Sequence, residues 1–243
     1  MRFLHYFIDA WIFPRVCPWC GRMLSTAGGL CGGCFCKLLT ESAFSLHGKL
    51  ISRLHEAAGS CRRCGSPLLA EKHDCMCCRD HKLAVPVYGF GHYSGALRRA
   101  VLLWKKRNNR DMTSQLMLLL LWMIPTELYG LPVVHIPCHP RNRRLRGWDP
   151  VEHLSTQLAQ RIGSRHIPLL GRSRRSRVQK SLNEKQRLEN ADNMFYLDSR
   201  MPVPLHLLLI DDVRTTGASL NAAHRLLLAG GAETVHIFYL AQD

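Results

Sequence analysis

Apolar residues are distributed in two regimes along the chain. From residue 85 onward, short apolar runs alternate with segments of helical periodicity, whereas the first 84 residues scatter them among glycines and cysteines. In the second regime VPVYGFGHY reads as an extended segment, and SGALRRAVLLWKKR as a helix with Ser94 at its N-cap. Residues 113–123 predict a second helix, stopped by Pro125. LPVVHIP, bounded by prolines, predicts a buried strand that leaves into the loop CHPRNRRLRGWD. Residues 151–162 return to helical spacing, with Leu154, Leu158 and Ile162 on one face. A strand over 205–210, a helix over 219–228 ended by Gly230 and Gly231, and a last strand over 234–240 complete the pattern. Such alternation predicts an α/β fold with a mainly parallel sheet flanked by helices.

The change of regime predicts two domains, a cysteine-rich module over residues 1–84 and an α/β domain over 85–243. The N-terminal apolar stretch is interrupted by Arg2, His5 and Asp9, ends at Pro14 and offers no small-residue cleavage site, so it predicts a short amphipathic helix. LMLLLLWMI, residues 116–124, is far shorter than the roughly 20 residues of a bilayer span, which predicts a buried helix and no transmembrane segment.

Ten of the 11 cysteines precede residue 79. Cys17 and Cys20 are followed by Cys31 and Cys34, and Cys61 and Cys64 by Cys75 and Cys78, mostly as Cys-x-x-Cys pairs. Two such knuckles brought together make one closed tetrahedral thiolate site, so each quartet predicts a structural zinc ion in a reducing cytoplasm. Disulfides or scattered thiols are the alternative. Cys36 and Cys77 are spare, although Cys77 could replace Cys75 or Cys78, and Cys138 stands alone.

LLLIDDVRTTGASL carries the candidate chemistry. A buried strand runs into Asp211 and Asp212, and Thr215, Thr216, Gly217 and Ser219 precede a helix. In an open parallel sheet the ligand crevice lies beyond the carboxyl ends of the strands, where a helix N-terminus favours phosphate. Amides and hydroxyls of residues 215–219 suit a phosphate, and the two acids suit neutral hydroxyls such as those of a ribose ring. A solvated strand end followed by a capped turn is the alternative reading.

A net charge of +15 favours polyanions, whether phosphorylated metabolites, nucleic acid or an acidic membrane surface. His139, Arg141, Arg143, Arg144 and Arg146 follow the LPVVHIP strand directly, and guanidinium forks suit phosphate oxygens. Alone, that loop reads as a solvated basic loop or a nucleic-acid patch about as readily as it reads as a metabolite-binding loop. Residues 172–177 and 180–187 are a further basic segment, which on its own reads as a basic linker.

The strand, paired acids, Thr-Thr-Gly and helix resemble the 5-phosphoribosyl-1-pyrophosphate (PRPP) motif of type I phosphoribosyltransferases. With the cysteine module, the chain as a whole resembles the ComF/GntX-type branch of that family. Leu97, Arg98, Arg99 and Lys105 match its basic helix. Pro137, His139, Pro140, Arg146, Gly147 and Trp148 match its pyrophosphate loop, and Ser176, Gln179, Leu182, Arg187, Asn190 and Phe195 its hood segment. The resemblance implies a type I phosphoribosyltransferase-like domain in which Asp211 and Asp212 hold ribose hydroxyls and Thr215, Thr216, Gly217 and Ser219 the 5-phosphate. It further implies that His139, Arg141, Arg144 and Arg146 bind pyrophosphate with Mg²⁺, while Lys105, Gln179 and Arg187 assist. Asp149 and Pro150 replace the family's Asn-Gln, which predicts a carboxylate set against the pyrophosphate and one lost amide donor.

Two roles follow from the resemblance. One is handling of internalised single-stranded DNA during natural transformation, beside the competence machinery at the inner face of the membrane. Trp148 and Trp104, each close to basic residues, could stack bases there. The other is phosphoribosyl transfer to an unknown small acceptor.

Overall fold

The alternating pattern folds into a parallel sheet with helices on both faces. The computed structural model describes residues 15–24, 29–42, 87–172 and 194–243. In chain order the elements are α1 (Gly32–Ser42), β1 (Val87–His92), α2 (Gly95–Lys106), α3 (Met112–Met123), a 3₁₀ turn (Thr126–Leu128), β2 (Val133–His135) and α4 (Pro140–Arg146). After these come α5 (Pro150–Arg161), β3 (Leu170–Arg172), β4 (Phe195–Leu197), β5 (His206–Arg214), α6 (Ala218–Ala229) and β6 (Thr234–Gln242).

Four parallel strands lie in the order β1-β6-β5-β2, and β3 and β4 form a separate antiparallel pair. Helices cover both faces, which is why β5 and β6 read as nearly unbroken apolar runs rather than as alternation. Leu208, Ile210, Phe238 and Leu240 point to one face, where they meet Trp104, Leu116, Leu120, Leu154 and Leu158 of α2, α3 and α5. Leu207, Leu209, Ile237 and Tyr239 point to the other, against Leu220, Ala223 and Leu227 of α6 and Phe195 of β4.

LMLLLLWMI is the buried helix expected, with Leu116, Leu119 and Leu120 wholly enclosed. Among the described residues no helix is long and apolar enough to cross a membrane. Ser94 occupies the N-cap of α2 in extended geometry, but its hydroxyl makes no capping bond.

Several elements depart from the sequence reading. β5 continues four residues past Ile210, because Asp211, Val213 and Arg214 still pair with Tyr239, Ala241 and Gln242 of β6. The loop expected over residues 138–149 contains a short helix, α4, started by His139 and Pro140 and closed by Gly147 in the left-handed region at φ 76°. The strands β3 and β4 have three residues each and too little pattern to be seen. The expected boundary at 84/85 and nearly all of the expected N-terminal helix lie outside the described residues.

What is described of the cysteine-rich segment shares a core with the α/β part. Cys17, Leu30 and Leu38 belong to the same buried cluster as Leu97 and Trp104. Gln115 of α3 clamps the Leu30 backbone from both sides, donating to its carbonyl at 2.7 Å and accepting from its amide at 2.6 Å. Arg99 of α2 donates to the Trp19 carbonyl at 2.9 Å and lies 4.9 Å from the centre of its ring.

Candidate functional site

The register of β2 against β5 creates the site. His135 pairs with Ile210, and the Ile136 amide donates to the Ile210 carbonyl at 2.9 Å, after which Pro137 ends the pairing. Among the described residues β5 runs on beside β6 alone. Asp211 and Asp212 therefore sit in a stretch of strand paired along one edge, just past the point where the 137–147 segment leaves the sheet.

The two acids have different surroundings. Asp212 receives the Lys105 ammonium at 2.6 Å, with both side chains largely buried, and its other oxygen accepts from the Val213 amide at 2.6 Å. Asp211 accepts from the Asp212 amide at 2.8 Å. Burial, and then the charge of Asp212, push the Asp211 carboxyl well above the usual carboxylate range, against the pull of Lys105 and Arg172.

After β5, Gly217 adopts φ 77° as the N-cap of α6 and supplies no side-chain cap. Among the described residues, the side-chain bond at this helix start is a long one, at 3.4 Å, from the Ala218 amide to the Thr216 hydroxyl. Thr215 and Thr216 are exposed, and the Ser219 hydroxyl finds only the Met194 sulfur, at 3.4 Å. Arg214 turns inward beneath this turn and is 2% exposed.

The basic segment is brought to the same end of the sheet. Arg141 and Arg144 are exposed on α4, Arg146 is half-buried, and the His139 Nδ1 accepts from the Arg141 amide at 3.2 Å. Arg143 pairs with Glu152 at 3.2 Å. Asp149 is not set against a ligand as its sequence position predicts. It is 3% exposed, and one oxygen caps α5 through the Val151 amide at 3.0 Å and the Glu152 amide at 3.4 Å. Its other oxygen accepts from the Cys138 amide at 2.7 Å, and Pro150 stands at the first helical position, where an amide is not needed. Burial, and then Asp149, push the neighbouring Cys138 thiol up to about 12, so it packs rather than reacts.

Arg172 is a site residue that motif reading left inside a broad basic segment. From β3 it reaches back to the Pro137 carbonyl at 3.3 Å and lies within electrostatic range of Asp211, and among the described residues its buried Nε has no hydrogen-bond partner. Its placement depends on the β3–β4 pairing, for which the sequence holds no signal. Gln179 and Arg187 lie outside the described residues. Trp104 and Trp148 are both buried and meet edge to face at 6.1 Å, with the Trp104 Nε1 donating to the Thr113 hydroxyl, so neither is free to stack a base.

Cys17, Cys20, Cys31 and Cys34 converge with all four sulfurs within 4.8 Å of one another. Zinc fits them. Tetrahedral thiolates at bonds of about 2.3 Å stand roughly 3.8 Å apart, and Cys20 Sγ and Cys31 Sγ are 3.6 Å apart. Burial raises the Cys17 thiol, but backbone amides, foremost that of Cys31, bring it down to about 6, while burial and the neighbouring thiols push Cys34 up to about 12. A divalent ion would resolve that mutual repulsion by holding all four as thiolates. Cys36 is exposed on α1, outside the cluster. Cys61, Cys64, Cys75, Cys77 and Cys78 lie outside the described residues.

Fold and site together define an α/β protein with an acid-and-hydroxyl crevice at the carboxyl end of a parallel sheet and a four-cysteine cluster docked beside it. No family model matches the chain. It is 35% identical over 109 residues to "Competence protein ComFC" of Streptococcus pneumoniae, covering 45% of this chain and 47% of that protein. It is 33% identical over 119 residues to "DNA utilization protein YhgH" of Salmonella typhi, covering 46% and 52%. Its similarity to "Competence protein F" of Haemophilus influenzae is 27% over 192 residues, covering 75% and 84%. The chain thus spans about half the length of the first two relatives and most of the third. These similarities support a relationship to ComF-type competence and DNA utilization proteins.

Proposed function

We propose that the chain binds PRPP in the crevice between β5 and the 137–147 segment, and that it acts in the cytoplasm in DNA uptake by handling internalised single-stranded DNA. The observation that carries the first part is the placement of Asp211 and Asp212 on the stretch of β5 past its pairing with β2, a few residues before the N-terminus of α6. Acids at one end suit ribose hydroxyls and amides at the other suit the 5-phosphate, about one sugar apart. Arg141, Arg144 and Arg146, with His139, would take the pyrophosphate. Mg²⁺ would accompany that group as part of the ligand, neutralising charge among oxygen donors. Within this reading, residues 1–84 remain a zinc module and residues 85–243 the ligand-binding domain.

The test of the crevice is calorimetry with PRPP and Mg²⁺ on the zinc-loaded chain. Binding is expected in the wild type and its loss in Asp212→Asn; a folded chain that takes up no PRPP would refute the reading.

The DNA role draws on the names of the relatives and on the net charge of +15. Exposed Arg141 and Arg144 offer phosphate contacts, and each phosphate neutralised on a single strand should steepen the log–log salt dependence by about 0.7. Affinity for an oligonucleotide that is absent at low salt, or flat as salt rises, would remove this role.

A second reading, phosphoribosyl transfer to a small acceptor, gains from one observation. Asp149 is occupied by amides instead of opposing the pyrophosphate, so the departure from the family's Asn-Gln does not by itself repel the substrate. Transfer would rest on positioning and on charge neutralisation by the arginines. Release of pyrophosphate from PRPP in the presence of candidate nucleobases, abolished in Asp211→Asn, is the measurement.

A further inference from the structure

At the N-terminus of α5 three ligating side chains meet. His135 at the end of β2, Asp149 at the N-cap of α5 and Glu152 in its first turn place one ligand atom each within 4.8 Å of the others. His135 and Asp149 are each 3% exposed.

The hydrogen-bond network fixes what these atoms offer. The Thr156 hydroxyl donates to the Glu152 carbonyl at 2.9 Å, which leaves its oxygen as an acceptor for His166 Nδ1 at 3.2 Å. His166 Nδ1 must then carry the proton, and its Nε2 must accept from His135 Nδ1 at 2.9 Å. With both imidazoles neutral, the proton of His135 is spent on His166. His135 Nε2 is left with a lone pair and no proton, in a cluster whose other members are two carboxylates. One imidazole nitrogen held by a partner, with the other left as a lone pair, is the arrangement of a metal-binding histidine.

Asp149 and Glu152, but not His135, also line a pocket of about 290 Å³ together with Arg110, Arg143, Trp148 and Thr156. Trp148 brings to it an indole N–H that is buried and, among the described residues, without a hydrogen-bond partner. This donor would suit a water or hydroxide completing the shell of an ion. Arg143 holds only one oxygen of Glu152, from an exposed position, so the other stays available. Three donors at metal bonds of about 2.1 Å stand roughly 3–3.6 Å apart, so a contraction of about 1–2 Å closes a set that lies within 4.8 Å.

We propose that His135, Asp149 and Glu152 form a binding site for a first-row divalent cation, with nitrogen and oxygen donors, separate from the cysteine sites and from the crevice at Asp211 and Asp212. An ion there would join the end of β2 to the start of α5 and, through the Cys138 amide on Asp149, brace the 137–147 segment. It does not depend on PRPP binding.

Mn²⁺ is the suitable probe, since it favours oxygen and imidazole over thiolate. It would be titrated into the full chain with the cysteine sites already filled by Zn²⁺, following loss of the free-ion electron paramagnetic resonance signal. One bound Mn²⁺ is expected, weakened at least tenfold in Glu152→Gln and in His135→Gln and retained in Asp212→Asn. Far-ultraviolet circular dichroism shows that each variant is folded, and Glu152→Gln, at a partly exposed position, keeps the measurement decisive if His135→Gln does not fold. No Mn²⁺ uptake by the wild type, uptake unchanged in folded Glu152→Gln, or uptake lost only in Asp212→Asn would each overturn the proposal. Failure of PRPP binding would leave it standing.

Discussion

Replacing Asp149 by alanine separates the two roles that its position allows. The structure gives it three amide partners, two in the first turn of α5 and one at Cys138. Losing an N-cap costs about 1 kcal/mol, with a range of about 0.5–2. Leaving the part-buried Cys138 amide without an acceptor adds about 1–3 kcal/mol, nearer the lower figure if water enters the space left behind. Together Asp149→Ala should cost about 2–4 kcal/mol. Asp149→Asn can keep the cap through its amide oxygen but turns an N–H₂ toward the Cys138 amide, so it should lose only the second part. At about 2–4 °C per kcal/mol for a chain of this size, the alanine variant should melt roughly 5–15 °C lower and the asparagine variant between it and the wild type. Urea midpoints and thermal melts of the zinc-loaded chain, without added Mn²⁺, supply the comparison. Should Asp149→Ala bind PRPP more tightly at an unchanged midpoint, the carboxylate faces the ligand and the capping account is wrong.

Asp211 offers a pH test. Its carboxyl is raised in the fold above the unfolded value of about 3.9, so the stability it gives is complete below about pH 4 and is lost as pH rises through the folded value. Asp211→Asn, neutral throughout, should therefore gain on the wild type in urea midpoint between pH 4 and pH 8 while losing PRPP, and a constant difference across that range would contradict the cause assigned. Gly217→Ala puts an L-residue at φ 77° with a Cβ 3.1 Å from the Arg214 Nε, and should lose about 1–2 kcal/mol; urea titration showing no loss would mean that the turn is not held in that conformation. Cys20→Ser should carry one zinc fewer than the wild type by elemental analysis, and an unchanged metal content would exclude the Cys17, Cys20, Cys31 and Cys34 site.

How much could be read from the chain depended on the range of the interactions involved. The strands β2, β5 and β6 and the helices α2, α3, α5 and α6 were legible because burial imposes a period on contiguous residues. Asp211, Asp212 and the 215–219 turn were legible for the same reason, being one segment whose order of residue types mirrors its order in space. The cysteine knuckle spacing carried the thiolate cluster in the same way. Arg172 was not legible as a site residue, since it reaches the crevice through a hairpin of two three-residue strands separated by more than 20 positions. Nor was the His135–His166 pair, whose members are 31 residues apart. Asp149 was misread because residue type alone cannot tell a carboxylate that meets a ligand from one that meets amides. The helix signal at 151 was visible, and Asp-Pro immediately before it is a capping sequence that could have settled the matter.

The charges at the crevice constrain what can enter it. Asp212 is paired with Lys105, and burial and Asp212 raise the Asp211 carboxyl, so the acid pair presents less negative charge to an incoming ligand than two free carboxylates would. Arg172 acts on Asp211, the exposed Arg141 and Arg144 lie on the helix that follows β2, and the N-terminus of α6 follows β5. A ligand with a single phosphate would leave some of these donors unmatched, and a neutral sugar would leave nearly all of them so. A molecule with anionic groups at both ends and hydroxyls between them matches every part, because the hydroxyls can approach carboxylates whose charge is already partly balanced. On the proposed reading, the Lys105–Asp212 pair is what lets two acids stand beside an anion, rather than a fastening for α2. Removing Lys105 should then weaken phosphosugar binding more than it weakens the fold, since an unpaired Asp212 would repel the ligand that it is placed to hold.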